Sequence, residues 1–168
     1  SLFQFAKELA RKGDLEGAEK IIRPLLDEPK TSFHANADEI LCELHYLAAT
    51  TLLDSGHLIL ATNAFEKVIN FSLYYQDTLD KIKALSIQLL RDGKWREAAH
   101  LFLLMGDEVL IDPDIKRRLD HNQKLQTAMR AHIDREGKQR SSSIYANSHQ
   151  LLCELYYQSA ISQIKSGH

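Results

Sequence analysis

The chain has 168 residues, 26% of them charged, and a net charge of −2. This balance excludes a strong overall attraction to nucleic acid or to an anionic membrane surface, and no apolar run approaches the roughly 20 residues needed to cross a bilayer. Two cysteines far apart in the sequence make no disulfide framework, so we expect a reducing compartment, the cytoplasm or the nucleus.

Apolar residues recur at helical spacing along almost the whole chain, and no segment shows the alternation of a strand. The sequence therefore predicts an all-α fold of about eight helices. Pro24 lies inside the second of them and is expected to kink or shorten it, because proline lacks a backbone donor. The predicted elements are helix hairpins over 1–29, 36–72 and 77–106, a long basic helix over 114–136, and a last helix over 147–166.

One helix of the chain occurs twice. Residues 35–57 and 146–168 agree at 11 of 23 positions without a gap. In each copy an asparagine is followed three residues later by Glu39 or Gln150, which predicts a capping box, and a Ser-Gly pair ends the helix. Because the first copy runs on into another helix, we expect the chain to be part of a longer protein in which a further helix follows the second copy.

Three hairpins share a pattern of small, glycine, alanine and bulky residues. The sets are Ala6, Gly13, Ala18 and Ile22; Ala49, Gly56, Ala61 and Phe65; and Ser86, Gly93, Ala98 and Phe102. This pattern resembles the tetratricopeptide repeat (TPR), in which a small residue of one helix packs against an alanine of the next. The resemblance implies an antiparallel helix-hairpin solenoid, a single TPR-like array over 1–168. The glycines are separated by 43 and then 37 residues, whereas the usual TPR period is about 34.

Two Cys/His pairs raise the question of a metal site. Cys42 and His45 lie on one helix face, as do His149 and Cys153, so each pair could supply half of a zinc site. The histidine stands on opposite sides of the cysteine in the two copies, and no further ligand motif accompanies either pair. We therefore interpret both cysteines as packing residues and expect no metal or cofactor. No catalytic motif is recognisable, and we expect no enzymatic activity.

A glutamate and a tyrosine are repeated in the duplicated helix. Glu43 and Tyr46 recur as Glu154 and Tyr157, in each case three residues apart and thus on one face. The resemblance implies that such positions face the concave surface where ligands bind. We hypothesise a groove lined by these residues together with Thr50, Lys83, Ile87 and Arg91. The alternative is that the tyrosines pack between repeats and the glutamates bond neighbouring backbone.

The segment 114–140 is basic, with eight lysines and arginines against four acids. The basic residues are Lys116, Arg117, Arg118, Lys124, Arg130, Arg135, Lys138 and Arg140. They offer a contact for an acidic partner or for nucleic acid. Nucleic acid is the weaker hypothesis because no aromatic residues are interleaved for base stacking, and a solvated helix face is the structural alternative.

Together these features predict a non-catalytic scaffold or adaptor that binds a protein or peptide within a multiprotein assembly. One alternative is a peptide-responsive sensor that controls an attached effector domain, and another is binding of nucleic acid or an acidic partner through 114–140. TPR proteins that grip the acidic tails of chaperones use lysine and asparagine on successive first helices. The matching positions are Phe3, Lys7, Leu47, Asp80 and Ala84. Only Lys7 fits, so we do not expect that carboxylate clamp.

Overall fold

The structure, a computed structural model, describes residues 1–30, 32–136 and 148–167. All regular elements within these ranges are α-helices, which confirms the predicted all-α class. They are α1 (Leu2–Arg11), α2 (Leu15–Leu26), α3 (Ser32–Ala35), α4 (Ala37–Asp54), α5 (Leu58–Phe71), α6 (Thr78–Arg91), α7 (Trp95–Met105), α8 (Glu108–Ile111), α9 (Pro113–Asp120), α10 (Gln123–Glu136) and α11 (His149–Lys165).

The described residues thus form eleven helices where about eight were expected. Two of the additional elements, α3 and α8, are single turns that the periodicity did not reveal. The third arises because the predicted helix over 114–136 is wrong: α9 and α10 are separate. The Asn122 side chain caps α10 by accepting from the amide of Leu125 at 2.9 Å. The buried amide of Gln126 donates to the carbonyl of Leu119 at 2.8 Å and so satisfies the end of α9.

Helix boundaries otherwise follow the sequence closely, with one local correction, at Asn36. Pro24 lies inside α2, which continues past it for two residues to Leu26, and the predicted kink stays a prediction. Asn36 precedes α4 as predicted, but its side chain donates to the carbonyl of Ser32 at 2.9 Å and makes no cap bond. The corresponding Asn147 lies outside the described residues, and α11 follows Ser148.

The chain divides into two compact units, residues 1–85 and 86–168. In the first unit α1 packs against α2, α4 packs against α1 and α2, and α5 packs against α4. In the second unit α7 packs against α10, and α8 contacts both α7 and α9. A continuous solenoid over the whole chain stays a prediction.

Three helices end in the same turn. Gly13, Gly56 and Gly93 have φ angles of +84°, +78° and +70°. At each of them the glycine amide and the following amide donate to carbonyls three and five residues earlier. This pair of bonds is the Schellman motif, which needs a left-handed residue after the helix. The next helix therefore begins two residues after each glycine, as the hairpin pattern predicts.

The other positions of the pattern are buried. The small, alanine and bulky residues of all three sets are inaccessible to solvent. They are Ala6, Ala18 and Ile22; Ala49, Ala61 and Phe65; and Ser86, Ala98 and Phe102. Small side chains let two helix axes approach closely, and the bulky residue fills the adjoining layer.

Substitution of Gly56 tests the helix-ending turn. A β-carbon at this position would meet nothing within 4 Å, so the cost of Gly56→Ala comes from the left-handed backbone alone. We expect Gly56→Ala to lower the free energy of unfolding by about 1 kcal/mol in urea denaturation. Gly56→Asn is the control and should cost less, because asparagine tolerates this conformation. Equal stability of the alanine variant and the parent chain would contradict the assignment.

Candidate functional site

Partly buried aromatic and charged side chains form a row in the first unit, which we name the aromatic row: Phe3, Lys7, Glu43, Tyr46 and Tyr75. Helices α1 and α4 supply the first four, and Tyr75 lies in the connection between α5 and α6. The Lys7 ammonium is 3.4 Å from Oε1 of Glu43 and 4.8 Å from the centre of the Phe3 ring. The lysine therefore has both an anionic and an aromatic partner.

Tyr46 joins α4 to the residues that follow α5. Its hydroxyl donates to the Asp77 carboxylate, and its ring meets Tyr75 edge to face with centroids 5.5 Å apart. Burial, followed by the bond to Asp77, raises the pKa of Tyr46. The same bond is the main reason that the pKa of Asp77 is lowered. At neutral pH the phenol is thus a protonated donor and Asp77 an ionised acceptor.

Around the aromatic row the anionic side chains are more exposed to solvent than the cationic side chains with which they pair. The side chains of Glu43 and Asp77 are 34% and 52% exposed, whereas Lys7 and Lys81, their cationic neighbours, are 15% and 28% exposed. The aromatic row and its margin therefore present carboxylate oxygens and ring surfaces to solvent more than ammonium groups. Such a surface can stack on apolar side chains and accept hydrogen bonds from basic ones.

The remaining residues of the hypothesised groove are placed as follows. Thr50 lies on α4 and donates to the carbonyl of Leu47 at 3.0 Å. Lys83, Ile87 and Arg91 succeed one another at four-residue spacing on α6, which begins in the first unit and ends in the second. The structure therefore brings together Glu43 and Tyr46, with partners that the sequence did not indicate. Membership of the other residues in one groove stays a prediction.

The second copy of the pair has different surroundings. Oε1 of Glu154 lies 3.8 Å from the Lys116 ammonium and accepts from the Gln158 amide at 3.1 Å. Tyr157 is 63% exposed, and within the described part of the chain its hydroxyl makes no hydrogen bond like that of Tyr46. The tyrosine is thus a tether in α4 and exposed in α11, whereas the glutamate pairs with a lysine in both helices.

A pocket that the sequence reasoning missed lies between α2, α4 and α5. Its volume is about 580 Å³, and it contains acidic, basic and apolar side chains. The lining residues are Glu19, Arg23, Asp38, Leu41, Cys42, His45, Lys67, Asn70 and Phe71. In the sequence, only the i, i+3 spacing of Cys42 and His45 indicated that two lining residues of this pocket share a helix face. That spacing did not indicate that residues of α2 and α5 complete the pocket.

His45 holds α2 against α4 at this pocket. The ring is buried, with Nδ1 2.6 Å from the carbonyl of Leu41 and Nε2 2.9 Å from Oε1 of Glu19. A carbonyl oxygen can only accept, so Nδ1 carries a proton. The imidazole therefore bridges a backbone carbonyl and a carboxylate, which fixes its orientation.

The two cysteines differ in environment. Cys42 is buried, and burial, reinforced by Glu39 and Glu43, raises the pKa of its thiol to about 11. A protonated buried thiol is inert, which agrees with a packing role. The same interpretation of Cys153 is wrong, since that side chain is exposed. Within 1–30, 32–136 and 148–167, no three His, Cys, Asp or Glu side chains are grouped so that they could hold a metal ion.

The basic segment is divided between α9 and α10, and part of its charge is neutralised. Lys116 is 2.7 Å from an oxygen of Asp120, and this bond is the main reason that the pKa of Lys116 is raised. Arg117 and Arg118 both pair with Asp114. The Lys124 ammonium lies 5.6 Å from the centre of the Trp95 ring.

Four basic residues complete the predicted patch. Arg130 is partly buried and Arg135 is exposed on α10. Lys138 and Arg140 lie outside the described residues. The patch is therefore not one continuous helix face. Three of its cations, Lys116, Arg117 and Arg118, form ion pairs with neighbouring aspartates.

The fold and these faces define an all-α protein of paired helices with surface features suited to hydrogen bonding and stacking. Comparison of the chain with family models, curated proteins and solved structures gave no match. Of the helices that the structure describes, none is long and apolar enough to span a membrane.

Proposed function

We propose that this chain is a TPR-like helical-repeat module that binds a protein or peptide without catalysis, as a scaffold or adaptor in a multiprotein assembly. Support for the repeat comes from the three glycine turns and from the buried small and bulky residues beside them. In this proposal the hairpins stack into a solenoid, each burying its apolar face against its neighbours.

The aromatic row is the observation that carries the binding function. Its rings are partly exposed, and its more exposed charges, Glu43 together with the adjoining Asp77, are carboxylates. Partly exposed aromatic side chains supply binding energy, and charged neighbours supply orientation. We therefore propose an extended peptide ligand that places apolar side chains against Phe3 and Tyr46 and a lysine or arginine beside Glu43.

Selection of peptides from a random display library on the intact chain tests this function. The selected peptides should combine an aromatic or aliphatic residue with a nearby basic residue. Glu43→Lys removes one charge-assisted hydrogen bond to the peptide, which contributes about 1.5 kcal/mol. We therefore expect it to weaken peptide binding at least about tenfold, since a tenfold change in affinity corresponds to about 1.4 kcal/mol. Binding is measured by fluorescence anisotropy with labelled peptides.

Glu16→Lys provides the matched control. Glu16 is an exposed acid on α2, outside the aromatic row, and its reversal changes the net charge by the same amount. Binding by this variant should stay within about twofold of the parent chain, since exposed charges away from the site act weakly through salt-screened solvent. Failure to select any binder, or equal effects of the two reversals, would contradict the proposed site.

A further inference from the structure

Three aromatic rings lie together where α4 meets the end of α5, and we name them the ring corner: Tyr46, Phe71 and Tyr75. Tyr75 contacts both of the others, with ring centroids 5.5 Å from Tyr46 and 6.0 Å from Phe71. Its plane is inclined to theirs by 70° and 81°. Rings at such angles leave parts of their faces open toward a shared corner. Because Phe71 is 46% exposed and the two tyrosines are partly exposed, solvent reaches this cluster.

Carboxylates accompany the ring corner. Glu39, Glu43 and Tyr46 follow one another at spacings of four and three residues, so they share a face of α4. The Tyr46 hydroxyl donates to the Asp77 carboxylate. Burial is the main reason that the pKa of Tyr75 is raised, and Glu43 and Glu39 raise it further, so both acids act on this side chain.

The lysines of this region leave the rings uncovered. Lys7 and Lys81 pair with Glu43 and Asp77, whereas Glu39 is exposed and forms no ion pair with another described residue. Within residues 1–30, 32–136 and 148–167, no lysine or arginine lies over a ring of the ring corner. The ring corner therefore offers ring faces and an unpaired carboxylate to a cation from outside the chain.

The aromatic row already shows how this surface holds a primary ammonium group. The nitrogen of Lys7 lies 3.4 Å from Oε1 of Glu43 and 4.8 Å from the centre of the Phe3 ring, so a carboxylate is its nearer partner. A primary ammonium is strongly hydrated and has three donors to satisfy. A fully methylated ammonium has no donors and presents apolar methyl groups, so it fits ring faces better than a primary ammonium does.

We propose that the ring corner binds the trimethylammonium group of a trimethyllysine side chain in a partner peptide. The methyl groups lie against the rings of Tyr46, Phe71 and Tyr75, and Glu39 supplies the nearby negative charge. This inference rests on the proposed peptide-binding function and specifies a modification that the bound segment carries. The chain would then distinguish the methylated from the unmodified form of its partner.

Three capped amino acids test the proposal on the intact chain. They are the N-acetyl amides of trimethyllysine, of lysine, and of the neutral analogue in which carbon replaces the ammonium nitrogen. Nuclear magnetic resonance titration of the aromatic side-chain signals measures their affinities. We expect trimethyllysine to bind at least about fivefold more tightly than the neutral analogue, which has the same shape but no attraction to the ring quadrupoles. Lysine should bind more weakly than trimethyllysine, because its ammonium must lose water to enter.

Matched variants locate the binding surface. Phe71→Leu keeps an apolar side chain but removes a ring, and it should at least halve the preference for trimethyllysine over the neutral analogue. Phe5→Leu makes the same change at an exposed phenylalanine of α1 outside the ring corner and should leave the preference intact. Glu39→Gln should weaken binding of trimethyllysine about threefold and leave binding of the neutral analogue unchanged, because only the cation interacts with that charge.

Two outcomes would overturn the proposal. The first is no binding of trimethyllysine, or binding equal to that of the neutral analogue, which would mean contact with apolar surface alone. The second is an equal effect of Phe71→Leu and Phe5→Leu, which would place the cation elsewhere. The capped amino acids do not require a selected library peptide. Failure here therefore leaves the Glu43→Lys result standing, and failure to select peptides leaves the titration of the ring corner interpretable.

Discussion

Replacement of Phe65 by alanine is expected to lower the free energy of unfolding by about 3–5 kcal/mol, the range for a buried phenylalanine. Phe65 lies on α5, is inaccessible to solvent, and occupies the bulky position of the second hairpin. Its loss leaves a cavity on the buried side of α5, where Ala61, one turn earlier, is too small to fill it. Urea denaturation followed by far-ultraviolet circular dichroism measures the change. Phe102→Ala, at the same position of the third hairpin, should give a loss in the same range.

Phe71→Ala is the control for the loss of a ring from the same helix. Phe71 is 46% exposed and contacts Tyr75 edge to face with centroids 6.0 Å apart. We expect this substitution to cost about 1 kcal/mol, the value of an aromatic pair with limited burial. A loss at Phe65 no larger than the loss at Phe71 would contradict the packing assigned to the bulky position.

The hairpin turns and their buried contacts were predictable because each depends on residues close together in sequence. A glycine two residues before a new helix has few conformational alternatives once the Schellman bonds form, as Gly13, Gly56 and Gly93 show. The alanine five residues after each glycine is buried in all three hairpins, as the pattern of small residues predicts. Local chemistry thus determines these features in this chain.

The break between α9 and α10 was not predictable from periodicity. Apolar and basic residues continue through His121 and Asn122 without a glycine or proline. The interruption depends on two side chains that satisfy backbone groups, the Asn122 cap and the buried Gln126 amide. A polar residue has similar sequence context whether it caps a helix or faces solvent, so only the three-dimensional arrangement distinguishes the two.

The candidate site was predictable only in part, because its geometry depends on residues distant in sequence. Glu43 and Tyr46 were selected for their repetition, but Lys7 and Asp77 stand 36 and 31 residues from their respective partners. The second copy retains the glutamate and tyrosine without those partners, and Tyr157 is consequently exposed. The same reasoning explains the cysteines, since burial of Cys42 requires neighbours that Cys153 does not have.

Stability at alkaline pH should depend on Cys42. Burial is the main reason that the pKa of this thiol is raised from 9.0 to about 11. Below about pH 8 the thiol is protonated in both the folded and the unfolded chain, so it adds almost no pH dependence there. As the pH rises from about 9 to 11, the unfolded chain loses the proton while the folded chain retains it, and the unfolded state becomes relatively more favourable. We expect the free energy of unfolding to fall by about 2 kcal/mol from this group between pH 8 and about pH 10.5.

Cys42→Ala and Cys153→Ala isolate this contribution. Tyr46 and Tyr75 also have raised pKa values and destabilise the folded chain at high pH, but they are present in both variants. The alkaline fall in urea-measured stability should therefore be about 2 kcal/mol smaller in Cys42→Ala than in the parent chain. Cys153→Ala should match the parent, because the Cys153 side chain is exposed in the folded state and has little burial to lose on unfolding. Identical pH profiles for the two alanine variants would show that Cys42 is not desolvated in the folded chain.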